Sequence, residues 1–168
     1  MFSAGIITVS DKGSQGKRQD LSGPAIAEML AGAAVTIEKT IIIPDEVEQI
    51  SQAIIHFADV EKLDLILTTG GTGVSPRDLT PDATLKVLDR EIPGMAEAMR
   101  MASMKVTPHA MISRAVAGIR GRSLIINLPG SPKGATENLG AVLPAIQHAI
   151  EKIQGDTRDC ATSSQQRP

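Results

Sequence analysis

The 168-residue sequence has no tryptophan, no tyrosine and only two phenylalanines. It therefore offers no aromatic platforms on which unpaired bases stack. Nor does it have a basic block: 17 Lys and Arg stand against 19 Asp and Glu, a formal net charge of −2. A nucleic-acid backbone demands a positive stripe, and none is present. The one cysteine, Cys160, sits in a polar tail, where it closes no intrachain bridge and belongs to no zinc or iron–sulfur cluster. The first apolar run, residues 5 to 9, is too short for the core of a signal peptide, and no stretch reaches the length of a membrane span. Nucleic acid and membrane are thus excluded as partners, and a cytoplasmic location is the expectation.

What is present suits an ordinary globular protein, with 42% hydrophobic and 21% charged residues. A chain of this length buries a core without disulfide or metal staples. The expected organisation is one domain over residues 1–155, followed by a polar, disordered tail over 156–168.

The most informative stretch is the apolar run 63–69, which feeds directly into Gly70-Gly71-Thr72-Gly73-Val74-Ser75. Glycines let backbone N–H groups approach a phosphate closely, and the hydroxyls of Thr69, Thr72 and Ser75 add donors. Taken alone, these glycines also fit a plain strand-to-helix turn. Downstream, Thr80-Pro81-Asp82 opens a helix expected to run from Pro81 to Asp89.

Three more strands read from the pattern, at residues 4–9, 35–43 and 123–128. In the second, Val35, Ile37, Ile41 and Ile43 fall on one face and Thr36, Glu38 and Thr40 on the other, as expected near a sheet edge. Helices are expected from about Pro24 to Leu30, with Ser22 or Gly23 near the cap, and through Val47, Ile50, Ile54 and Phe57 to about Asp59. Two more run from Met95 to Met104 and along the apolar stripe from Ala135 to Ile153. Asp45 and Glu48 have the spacing of a capping box. Strands alternating with helices imply an α/β fold with a mostly parallel sheet covered on both faces. If the four strands run parallel, the segments at Ser10-Asp11, Pro44-Asp45, Gly70 to Gly73 and Pro129-Gly130-Ser131 gather on the rim where ligands bind in such folds.

Familiar nucleotide and catalytic motifs fail. Neither glycine loop carries the Lys-Ser/Thr of a Walker A loop. A dinucleotide fingerprint starting at Gly71 meets Pro76 where its third glycine belongs. Ser75 lacks the closing glycine of a nucleophile elbow, since Arg77 stands there. His56, His109 and His148 lie too far apart for a ligand set and read as surface or packing residues.

The motifs Thr68-Thr69-Gly70-Gly71-Thr72-Gly73, Pro76-Arg77-Asp78 and Thr80-Pro81-Asp82-Ala83-Thr84 resemble those of the MogA/MoaB group of molybdenum-cofactor biosynthesis proteins. That group includes related domains of gephyrin and of the plant molybdopterin adenylyltransferase. The resemblance extends through Ile43-Pro44-Asp45-Glu46, Glu91-Ile92-Pro93-Gly94, Ser113-Arg114 and Leu128 to Lys133. It implies a three-layer α/β/α domain that forms homotrimers and transfers AMP from Mg-ATP to molybdopterin, releasing pyrophosphate. A separate molybdenum-insertion enzyme would be a further partner. On this resemblance Asp45 and Asp82 are the catalytic acids and the magnesium ligands, and Thr69, Gly70, Gly71, Thr72, Gly73 and Ser75 hold the nucleotide phosphates. Ser10, Asp11, Ser113, Arg114, Asn127, Pro129, Gly130, Ser131 and Lys133 are the expected substrate-binding residues. An adenylyl transfer between two polyanions gives carboxylates a physical role, because a divalent ion offsets the repulsion and carboxylates are its natural ligands. The competing reading leaves Asp45 as an N-cap and Asp82 as a first-turn acid favoured by the helix dipole. In function, the alternatives are a non-catalytic molybdopterin binder or carrier and an unrelated phosphate-binding enzyme.

Overall fold

A computed structural model describes residues 1–157. The tail beyond, with Cys160, lies outside the described residues. Six strands form one sheet: β1 (Phe2–Val9), β2 (Val35–Ile43), β3 (Leu65–Thr69), β4 (Arg90–Glu91), β5 (Ala117–Arg120) and β6 (Ser123–Leu128). Their order is β2-β1-β3-β6-β5-β4. The first four in that order run parallel, and β5 and β4 add antiparallel at one edge. The helices are α1 (Asp11–Ser14), α2 (Ser22–Leu30), α3 (Val47–Ile55), α4 (Thr80–Leu85), α5 (Pro93–Met104) and α6 (Pro132–Ile153).

Alternating side chains split the apolar residues between two cores. Ala4, Ile6, Leu65, Leu67, Leu124 and Ile126 face α2, α5 and α6. On the other side, Ile7, Val9, Ile66 and Ile125 face α3, α4 and the π-helical turn His56–Val60, which contributes Phe57. This is the three-layer α/β/α arrangement.

Strand β2 is at the edge, as its wet face implied, but its four isoleucine and valine positions do not share a face. Ala4 pairs with Ile37 and Gly5 with Lys39, so Glu38 is an extra residue in the strand. Such a bulge reverses the inside–outside phase. Val35 and Ile37 accordingly pack on the α2–α6 side, whereas Ile41 and Ile43 pack on the α3–α4 side.

The sequence also conceals β4 and β5. Gly118 demotes its segment as a strand, yet glycine is needed there: a Cβ would come within 2.4 Å of Leu88 and 2.5 Å of the Arg90 carbonyl in the neighbouring strand. Helix α4 ends at Leu85, short of Asp89: the Val87 N–H tightens onto the Thr84 carbonyl three residues back, and the Asp89 N–H leaves the helix for the Ile119 carbonyl at 2.8 Å. The expected capping box at Asp45 is absent. Helix α3 has Glu46 at its N-cap with no side-chain cap, since the Asp45 carboxylate is engaged elsewhere. At α2 the cap is supplied by Asp20, whose Oδ1 accepts the N–H groups of Ser22 and Gly23.

At Gly5, β1 packs against the α3 layer with no room for a side chain. A Cβ placed there meets Phe57 at 2.5 Å and Leu63 at 2.7 Å, and both side chains are buried. Gly5→Ala is expected to lower unfolding free energy by about 1–3 kcal/mol through overpacking, measured as a lower urea midpoint at unchanged slope.

Candidate functional site

All four parallel strands deliver their carboxyl ends to one rim. Ser10 N–H donates to the Ile43 carbonyl at 2.8 Å, Gly70 N–H to the Leu128 carbonyl at 3.1 Å, and Thr69 Oγ1 to the Pro129 carbonyl at 2.7 Å. The chain runs from β1 outward to β2 and returns on the far side of β1 to form β3. The segments that leave β1 and β3 therefore lead to helices on opposite faces, α2 and α4. A crevice opens at such a switch point, and here a cavity of about 370 Å³ lies between them, lined by Ser10, Asp45, Thr69, Gly70, Gly71, Gly130 and Ser131.

The glycine turn is shaped by close approach. Gly70 and Gly71 have φ of 104° and 63°, in the left-handed region that side chains rarely adopt. A Cβ on Gly70 would sit 2.3 Å from the Val9 carbonyl oxygen, and one on Gly71 would sit 2.5 Å from Thr80 Oγ1 and 3.1 Å from Asp45 Oδ1. The loop is anchored by Thr80, whose hydroxyl donates to the Gly70 carbonyl and whose N–H donates to that of Gly71. The N–H groups of Gly71, Thr72, Gly73 and Val74 make no hydrogen bond among the described residues. Successive free donors of this kind form a concavity for anions.

Asp45 belongs to a reciprocal clasp. Its Oδ2 accepts the Asp11 N–H at 2.8 Å, and its own N–H donates to Asp11 Oδ1 at 3.0 Å. Arg77 forks onto Asp11 at 2.9 to 3.1 Å and reaches Glu46 Oε1 at 2.9 Å. Partial burial pushes the Asp45 carboxyl above the usual range, aided by the Asp11 charge and opposed by the Asp11 N–H. The Arg77 fork holds Asp11 below that range. A carboxylate strained in this way gains from an approaching cation.

Asp82 stands at the first turn of α4 and forms a bidentate pair with Arg114 at 2.8 and 3.1 Å. That pairing holds its carboxyl down. Arg114, expected to anchor substrate, instead braces the loop: Nε donates to the Gly73 carbonyl at 2.9 Å, Nη2 reaches the Asp78 carbonyl, and the backbone N–H donates to the Thr72 carbonyl at 2.8 Å.

A second cavity, of about 510 Å³, adjoins the first. Thr72, Gly73, Ser113, Pro129, Ser131 and Lys133 line it, and Ser131 is common to both. The expected phosphate-binding residues are thus divided: Thr69, Gly70 and Gly71 face the smaller cavity, Thr72 and Gly73 the larger. Ser75, Asp11, Asp82, Arg114 and Asn127 line neither. Ser75 is tied into a turn, its N–H donating to Asp78 Oδ2. Asn127, expected on the substrate side, is fully buried: its amide donates to Thr68 and Thr84 hydroxyls at 2.9 Å and its oxygen accepts the Val116 N–H. It supports the rim from beneath.

Sequence reasoning missed Thr8, Arg18 and Asp20 in the smaller cavity and Arg100, Asn138 and His109 in the larger. Asp20 had a usable signal, since an acid two and three residues before Ser22 and Gly23 is a capping position. Arg100 had none, being one cation in a methionine-rich helix.

Among the described residues, no cluster of three or more His, Cys, Asp or Glu forms a metal cage. A magnesium ion carried with a nucleotide needs no cage, because phosphates and water fill most of its shell. Asp45 fits that role with Oδ1 turned to the glycine loop, whereas Asp82 fits it only on leaving Arg114.

The family described as "Probable molybdopterin binding domain" matches residues 5–148. The chain is 46% identical over 154 residues to the molybdopterin adenylyltransferase of Helicobacter pylori, covering 90% of this chain and 88% of that protein. It is 44% identical to the gephyrin of Dictyostelium discoideum, over 95% of this chain but 24% of gephyrin, so it spans about a quarter of that relative's length. The crystal structure of the molybdopterin biosynthesis enzyme MoaB from Thermus thermophilus superposes with a TM-score of 0.89 at 54% identity, covering 93% of this chain and 98% of that one. With matches that run the length of the sheet and its rim, the chain belongs to the molybdopterin-binding family of MogA and MoaB proteins.

Proposed function

We propose that the chain is a molybdopterin adenylyltransferase, which takes ATP and molybdopterin to adenylyl-molybdopterin and pyrophosphate. The observation that carries this reading is the pair of adjoining cavities meeting at the glycine turn, with Ser131 common to both walls. Two substrates seated in them would meet across free main-chain donors.

In the reaction a phosphate oxygen of molybdopterin attacks the α-phosphorus of ATP, the bond from that phosphorus to the bridging oxygen breaks, and pyrophosphate leaves. The N–H groups of residues 71 to 73 stabilise negative charge on the reacting phosphates, a role that preorganised donors fill without reorganising during the step. Asp45, and Asp82 once released from Arg114, would hold magnesium. When bound, the ion offsets the repulsion between the two anionic substrates. Asn127, Thr68 and Thr84 keep the rim rigid beneath the reacting groups. A homotrimer in the cytoplasm, passing its product to a molybdenum-insertion enzyme, completes the proposal; no helix among the described residues is long and apolar enough to cross a membrane.

A second reading, a binder without catalysis, has one observation in its favour: both Asp82 carboxylate oxygens are occupied by Arg114. A protein held permanently in that state would bind molybdopterin and leave ATP intact.

Mixing the pure protein with Mg-ATP and molybdopterin is expected to release pyrophosphate. Tight molybdopterin binding with no pyrophosphate would establish the carrier instead. Sedimentation at micromolar concentration is expected to give the mass of three chains, and a monomer would contradict the assembly. Asp82→Ala is expected to lower transfer by about two orders of magnitude while leaving molybdopterin binding nearly intact. Equal losses in both would count against a metal role. For Asp45 the sign runs the other way in stability. Because burial raises its folded pKa, the folded state favours the protonated acid, and that contribution fades as pH rises through the raised value. Asp45→Asn is therefore expected to keep or raise the thermal midpoint at pH 7 while transfer falls, as melting and pyrophosphate assays would record.

A further inference from the structure

Arg77 is a cation at the rim that the reaction does not use. It lines neither cavity. Its Nε and Nη2 are instead committed to two acids from two other segments, Asp11 after β1 and Glu46 after β2. Asp11 is also outside both cavities, yet it exchanges two hydrogen bonds with Asp45, which lines the smaller one. A continuous chain of contacts thus runs from residue 77, downstream of the glycine turn, across the switch point to the carboxylate at the end of β2.

Two orientations are fixed by that chain. The Asp11 N–H holds Asp45 Oδ2, which leaves Oδ1 turned to the Gly71 backbone, 3.1 Å from where a Cβ would stand. The turn of residues 75–78 is closed by Ser75 N–H on Asp78 Oδ2 and by Asp78 N–H on the Ser75 carbonyl. Arg77 sits inside this closed turn, so pulling Arg77 onto Asp11 draws the whole glycine segment against Asp45.

We propose that Arg77 is a positioning residue: acting through Asp11, it straps the glycine loop to the Asp45 carboxylate and sets the distance between the phosphate donors and the acid. This inference rests on the adenylyl-transfer reading. Exposed ion pairs contribute little to stability, and the side chains of Arg77 and Asp11 are 50% and 38% exposed. Geometry near a reacting phosphorus is far less forgiving, since a displacement of about 1 Å costs on the order of a hundredfold in rate.

The test compares Arg77→Met, Arg77→Lys, Asp11→Asn and the double variant Arg77→Met/Asp11→Asn in pyrophosphate release with Mg-ATP and molybdopterin, with melting curves alongside. Arg77→Met is expected to lower kcat by at least about tenfold with both KM values within about threefold of the parent. Its thermal midpoint should stay within about 5 °C. Arg77→Lys should recover part of the loss, and the double variant should be no slower than Asp11→Asn alone. Parent-like kcat in Arg77→Met, a change confined to the KM for ATP, or losses that multiply in the double variant would each overturn the strap. Absence of turnover in the unsubstituted protein is a different result, which overturns adenylyl transfer itself.

Discussion

Three main chains converge on Gly70, and the site depends on that convergence. The Val9 carbonyl lies where its Cβ would be, at 2.3 Å, and Gly130 packs against it from the other side, its own Cβ position 3.1 Å from Gly70 Cα. Strands β1, β3 and β6 are hydrogen-bonded neighbours, so their ends emerge side by side and leave no room for side chains. Only glycine, with its positive φ, lets the chain turn there. Thr80 takes the Gly70 and Gly71 carbonyls, and the next N–H groups, from Gly71 to Val74, are left without a hydrogen bond among the described residues. Close packing of the backbone and availability of the donors follow from the same turn.

Two arginines hold this turn from opposite sides. Arg114 takes the Thr72–Gly73 side and α4, and Arg77 takes the side toward β1 and β2. Both are largely solvent-exposed pairs that contribute little to folding free energy; what they fix is where the loop sits. The acids they engage differ in consequence. Asp82 is paired directly with Arg114, whereas Asp45 is hydrogen-bonded to Asp11 and to no arginine, and burial keeps its pKa raised against the nearby Arg77 charge. In the proposed reaction Asp45 would meet a cation as it stands, and Asp82 would first exchange its partner.

Much of this was legible in the residues. The glycine run after an apolar segment, the four parallel strands and the shared rim follow from periodicity and turn chemistry, because buried parallel strands read as apolar runs and glycine punctuates them. Other features were hidden for specific reasons. The bulge at Glu38 shows in the residues only as Lys39, a lone charge on the face that Val35, Ile37, Ile41 and Ile43 would share in an unbulged strand. Gly118 looks like a turn residue, though it is a strand residue pressed against Leu88 and Arg90. Asn127 looks like a polar group at a strand end, yet it faces inward to two threonines.

The sequence by itself determined the class of fold, the glycine turn after β3 and the presence of Asp45, Asp82, Arg77 and Arg114, since those are properties of local pattern and of residue type. Only the tertiary structure decided which acid meets which arginine. Asp11, Asp45 and Arg77 lie 34 and 32 residues apart along the chain, and Asp82 and Arg114 lie 32 apart. Pairings over such separations are set by strand order and loop direction, which no local preference encodes. By spacing Asp45 read as a helix cap, and the parallel pairing of β1 with β2 brought Asp11 beside it instead.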